Sequence, residues 1–85
     1  MTHALKTVQP CFDEVMSGDK MFDLRINDRP FKVGDVIILQ EYSIEEGYSG
    51  AELTFTIGYI LRDAYQLGLR TDYCILGLKG KTDPY

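Results

Sequence analysis

The stretch QPCFDEVMSGDKMFDLRINDRPF, Gln9 to Phe31, changes its hydrophobic period halfway along, and the fold is read outward from that change. In its first half Phe12, Val15 and Met16 recur at i, i+3 and i+4, one apolar stripe on two turns of helix. Pro10 suits a first helical position, Asp13 and Glu14 suit the positive end of the helix dipole, and Gly18 suits the left-handed residue that closes a helix. A helix is therefore expected from about Pro10 to Ser17. From Met21 the period becomes two. Phe22, Leu24 and Ile26 point one way and Met21, Asp23 and Arg25 the other, as in a strand. The strand breaks at NDRP, where Asn and Asp can bond their own backbone and Pro cannot donate.

On either side the chain reads as strands. HALKTV (His3–Val8) suits a short one, and KVGD (Lys32–Asp35) a tight turn. VIILQEY (Val36–Tyr42) carries an apolar run that implies cover on both faces. The acidic SIEEGYSG (Ser43–Gly50) reads as a hairpin loop. ELTFTIGYILR (Glu52–Arg62) is the longest strand expected, with Leu53, Phe55 and Ile57 inward, Thr54 and Thr56 outward, and a phase shift at Gly58 such as a β-bulge makes. DAYQLGLRTD (Asp63–Asp72) is a loop with room for one helical turn, YCILGLKG (Tyr73–Gly80) a last strand, and KTDPY (Lys81–Tyr85) a loose tail. About five strands and one short N-terminal helix are too many strands for a doubly wound sheet. The expected class is α+β, mostly β: a small β-barrel plugged by the helix, with residues 1–85 as a single domain.

At 85 residues the core is thin, burying little more than about 60% of the unfolded surface. Apolar content of 45% against 26% charged excludes a disordered chain. No apolar run approaches the ~20 residues of a membrane span, and no signal-peptide pattern opens the chain, so a cytoplasmic location with no membrane partner is expected. Cys11 and Cys74 stand far apart without further ligands at metal spacing; no disulfide framework, metal or cofactor is expected. The net charge of −4 argues against tracking long nucleic acid by its phosphates. Charge is nonetheless polarised. Glu41, Glu45, Glu46 and Glu52 crowd one stretch, while Lys20, Arg25, Arg29 and Lys32 lie in the opening segment, which suits a short or single-nucleotide target met locally.

The segment GDKMFDLR, Gly18 to Arg25, resembles the G-x-K-x-x-E-x-R motif of the ASCH (activating signal cointegrator homology) domains of the PUA-like superfamily, with Asp23 in place of the family Glu. HALK, NDRPFKVGDVIILQEY and GLRTDYCILGLK look like the small stand-alone bacterial and phage branch of that family. The resemblance implies a PUA-like barrel whose cleft holds the motif residues, with RNA binding or RNA-linked regulation. Some small members of the family are amide hydrolases of N4-acylated cytidine. Their working lysine corresponds to Lys20, and the next working position to Asp23. The second carboxylate they use late in the chain has no clear match, since the final third offers only Asp63, Asp72 and Asp83 and no Glu.

Alternation alone fits a solvated strand, on which Asp23 and Arg25 would form a same-face ion pair worth under about 1 kcal/mol. With the resemblance, an RNA- or modified-nucleoside-binding cleft is expected. Lys20 and Arg25 meet phosphate or carbonyl oxygen there, and Asp23 orients them or accepts from a base amino group. Lys20 is in phase with Phe22 unless Gly18 and Asp19 still belong to the turn. A lysine just past a helix C-terminus and near an acid keeps its charge, which suits binding better than catalysis. Asn27 could read a base edge, Arg29 reach a phosphate, His3 line the pocket, and Tyr65 stack a base. Two other functions stay open: an amidohydrolase with Lys20 and Asp23 as catalytic groups, and a protein-interaction module using the acidic loop.

Overall fold

The computed structural model describes residues 1–80. Its elements are β1 (Thr2–Thr7), α1 (Cys11–Ser17), β2 (Phe22–Ile26), β3 (Val36–Ser43), β4 (Gly47–Leu61), a one-turn 3₁₀ helix (Tyr65–Leu67) and β5 (Tyr73–Lys79). The helix ends as its sequence dictates. Gly18 adopts φ 89° and its N–H donates to Val15 O, closing the last turn. Phe12 and Val15 are buried and Met16 packs beside them. The tail Lys81–Tyr85 lies outside the described residues.

The strands form one mixed sheet in the order β1-β3-β4-β5-β2. β1 runs parallel to β3 and every other pair is antiparallel. The sheet's inner face carries Leu5, Ile37, Leu39, Leu53, Phe55, Ile57, Cys74, Leu76 and Leu78, which α1 and Phe31 cover. Leu53, Phe55 and Ile57 point inward as expected. At Gly58 the register slips by one residue between Ile57 and Tyr59, so the phase of β4 inverts there. Beyond the bulge Ile60 packs on the core and Tyr59 faces solvent.

Three expectations are corrected. The closed barrel does not form. β1 and β2 are the two free edges of the sheet and exchange no ladder, because arginine side chains occupy the gap where strand-to-strand bonds would run. β3 is covered on one face only. Ile37 and Leu39 are fully buried, but Val36 and Ile38 are half-buried among Thr54, Thr56 and Ala4 of the neighbouring strands, since no second layer among the described residues lies over the outer face. The acidic hairpin loop is shorter than read: the strands continue to Ser43 and from Gly47, which pair, leaving three residues between them.

Candidate functional site at the seam between the sheet edges

Strand β2 sits inside out. Its apolar residues Phe22, Leu24 and Ile26 are 44%, 50% and 51% exposed, while Asp23 is only 5% exposed and Arg25 is half-buried on the inner face. The register explains how. Asp23 lies opposite Leu76 and Arg25 opposite Cys74, both core residues of β5, so the polar side of β2 must share their face. Turning the strand by one residue would bury three apolar side chains more fully, worth on the order of 3 kcal/mol. The chain does not take that gain.

The inward polar groups are tied to the opposite sheet edge. Arg25 Nε donates to Asp23 Oδ2, and the Arg25 Nη2 donates to the Lys6 carbonyl at 3.1 Å. Arg29 Nη1 donates to the Ala4 carbonyl at 3.4 Å, and its Nε stands 3.9 Å from Asp28 Oδ1. Ala4 and Lys6 are two residues apart on β1, so the two guanidiniums meet that edge about 7 Å apart. A third guanidinium approaches from β4: Arg62 Nη2 donates to Phe31 O at 2.9 Å. Below them lies Cys74, whose thiol is pushed up by burial, held back by Arg62 and Arg25, and pushed further up by Asp23 and Asp28. That thiol stays protonated and unreactive.

Asn27 completes the row. It follows the strand at i+4 from Asp23, its N–H donates to Asp72 O at 2.8 Å, and its side-chain Oδ1 is buried without a partner. An acceptor left in that state is costly, and native proteins keep such groups where a ligand or water completes them.

Other residues singled out in the sequence lie elsewhere. Lys20 is not brought to the pair; its Nζ stands 5.2 Å from the Phe22 ring centroid, on the side of β2 opposite Asp23. Tyr65 is exposed at the start of the 3₁₀ turn, lining a shallow groove with Gln66, Gly68, Leu69 and Arg70. His3 is buried on β1, its ring 4.7 Å from Phe31 and its Nε2 2.8 Å from Asp35 Oδ2. It is a core histidine with a satisfied partner.

Asp35 holds that corner of the fold. Besides His3 it accepts from the Lys32 N–H at 3.0 Å and the terminal ammonium at 3.2 Å. The His3 hydrogen bond, ahead of the Lys32 N–H and the ammonium, overcomes the opposing effect of burial and lowers the Asp35 carboxyl from 3.8 to about 2. A folded value below the unfolded one stabilises fully above the unfolded value and is lost as pH falls through the folded one. The excess melting temperature of the wild type over Asp35→Asn is therefore expected to shrink between about pH 4 and pH 2. Parallel melting curves for the two proteins across that window would contradict it.

Arg62 was the seam residue not singled out in the sequence. The signal exists: carrying the phase shift at Gly58 two and four residues further places Ile60 and Arg62 on the inner face. Asp35 had no such signal, because its partner His3 is 32 positions away.

Among the described residues no group of three or more His, Cys, Asp or Glu gathers to hold a metal, and no helix is long and apolar enough to cross a membrane. No curated protein matches the chain. A family model does, over residues 2–78, a span that contains every residue of the seam. The chain belongs to the family described as Domain of unknown function (DUF3850).

Proposed function

We propose that the seam binds a single nucleotide, or one nucleotide of a short RNA, and favours a base with an exocyclic amino group. The observation that supports this best is the inversion of β2. A strand that buries Asp23 and Arg25 while exposing three apolar residues breaks the hydrophobic pattern, and such breaks concentrate at functional sites. The chemistry of the row suits the ligand. Asp23 and the unpartnered Asn27 Oδ1 are acceptors for an amino group such as N4 of cytosine. Arg25, Arg29 and Arg62 each keep N–H donors beyond those that bond backbone carbonyls, and a phosphate or base carbonyl takes them in a forked geometry that lysine cannot offer. Three guanidiniums against Asp23 and Asp28 leave the seam locally positive in a chain of net charge −4. The resemblance of Gly18–Arg25 to the ASCH motif, and with it the PUA-like relationship, points the same way.

The amidohydrolase reading has less geometric support. An amidohydrolase would need Lys20 and Asp23 at one substrate atom, and Lys20 lies with Phe22 instead. A groove does run along the β3–β4 hairpin, where Glu41, Glu45 and Glu46 line it; that lining repels a phosphate and would suit a basic protein partner instead.

Titration of the ¹⁵N-labelled protein with cytidine 5′-monophosphate tests the proposal. Shifts are expected at Asp23, Arg25, Asn27 and Arg29, with uridine 5′-monophosphate binding about tenfold more weakly because its O4 cannot donate. Equal affinity for both, or shifts confined to the hairpin groove, would count against it.

A further inference from the structure

The residues that β2 turns outward do not stand alone. Phe22 pairs with Gly77 of β5, and Gly77 pairs with Tyr59 of β4, so the three form one row across the sheet. Tyr59 is 64% exposed. Neighbouring strands are about 4.8 Å apart, which sets the two aromatic residues about 10 Å apart over a floor that has no side chain. A Cβ at Gly77 would stand 3.3 Å from the Tyr59 Cβ, so the glycine is what keeps the slot open. The next rows continue the apolar surface, with Leu61, Ile75 and Leu24 in one and Tyr73 beside Ile26 in another.

Among the described residues, two unpaired cations and one ion pair lie against this face. Lys20 sits over the Phe22 ring. The stem of Lys79 lies across Gly58, next to Tyr59, its Cδ 3.0 Å from where a Gly58 Cβ would stand. Neither lysine has an ion pair among the described residues. Arg70 stands 5.4 Å from the Tyr73 ring centroid and is paired with Asp72.

We propose that this outer face of β2, β5 and β4 binds single-stranded nucleic acid, one base seated over Gly77 between Phe22 and Tyr59, with Lys20 and Lys79 holding its phosphates. Exposed aromatic rings on a sheet, with a lysine over Phe22 and an arginine over Tyr73, are the elements of a stacking platform that tolerates any base. Tyr73 lies four residues along β5 from Gly77, about 13 Å, which leaves room for a second base. Charge complementarity selects this occupant over a second copy of the chain. A two-fold contact through this face would set its cations against each other, whereas a phosphodiester strand neutralises them. The site is separate from the seam and does not depend on it, since β2 presents the two on opposite sides.

Fluorescence anisotropy with labelled hexauridylate tests the proposal; uracil lacks the amino group the seam is proposed to read. Binding is expected, with a slope of log affinity against log salt of about −1.4, as two phosphate contacts to a single strand give. Tyr59→Ala, at an exposed position that the fold tolerates, is expected to weaken binding about tenfold or more. Lys20→Ala/Lys79→Ala is expected to flatten the salt slope towards zero. Cytidine monophosphate binding at the seam stays intact in Tyr59→Ala, while Arg25→Gln has the opposite pattern, so the two sites fail separately. Equal binding by wild type and Tyr59→Ala would overturn the proposal. So would equal affinity for a duplex, or a sedimentation mass of two copies that Tyr59→Ala reduces to one.

Discussion

Arg25→Ala is expected to destabilise the protein by about 3 kcal/mol, a large share of the roughly 4–13 kcal/mol that holds a domain of this size together. The loss is far greater than for a surface ion pair, because Asp23 stays behind, buried against Leu76 without the guanidinium that pairs with it. The Lys6 carbonyl also loses the donor that spans the seam. Arg25 keeps about a fifth of its side chain in solvent, so water relieves part of the penalty and the figure sits at the lower end of the range for buried pairs. For a chain of this length the expected fall in melting temperature is about 12 °C or more. Adding Asp23→Asn to the same background removes the orphaned charge and is expected to restore part of the loss. A fall of only a few degrees in Arg25→Ala would mean that Asp23 is hydrated and the pair is ornamental.

The second large effect is a reversal of the first. In Asp23→Val/Arg25→Met both charges go, a β-branched residue of similar size faces Leu76, and an apolar chain of similar length covers Cys74. Replacing a buried ion pair with apolar side chains of matched volume is commonly neutral or stabilising by about 1–4 kcal/mol. The double variant is expected to melt at or above the wild-type temperature, although Arg25→Ala alone melts far below it. The pair is thus costly to break and cheap to replace. That combination fits the proposal that the pair serves a ligand rather than stability.

Much of this fold is legible in the sequence because local signals agreed with it. Phe12, Val15, Met16 and Gly18 state a two-turn helix and its end, and the structure builds that helix. Leu53, Phe55 and Ile57 state an inward face, and Gly58 states where it turns over. The openness of the sheet was not legible, because whether two edges meet depends on side chains from separate segments. Nothing local says that Arg25 and Arg29 reach the carbonyls of Lys6 and Ala4. The orientation of β2 was only half legible. Alternation identifies two faces, and hydrophobicity alone assigns the wrong one to the core; the register with Leu76 and Cys74 decides it. The same register separates Lys20 from Asp23, which the motif alone had joined.

The central claim, that β2 buries charge in order to bind, is tested most directly on the Asp23→Val/Arg25→Met protein. Its titration with cytidine 5′-monophosphate is followed by calorimetry, once its amide spectrum has shown a native fold. A protein as stable as the wild type whose affinity has fallen at least about tenfold, a loss of 1.4 kcal/mol or more, is the expected result. An equally stable protein that still binds the nucleotide as the wild type does would contradict the account.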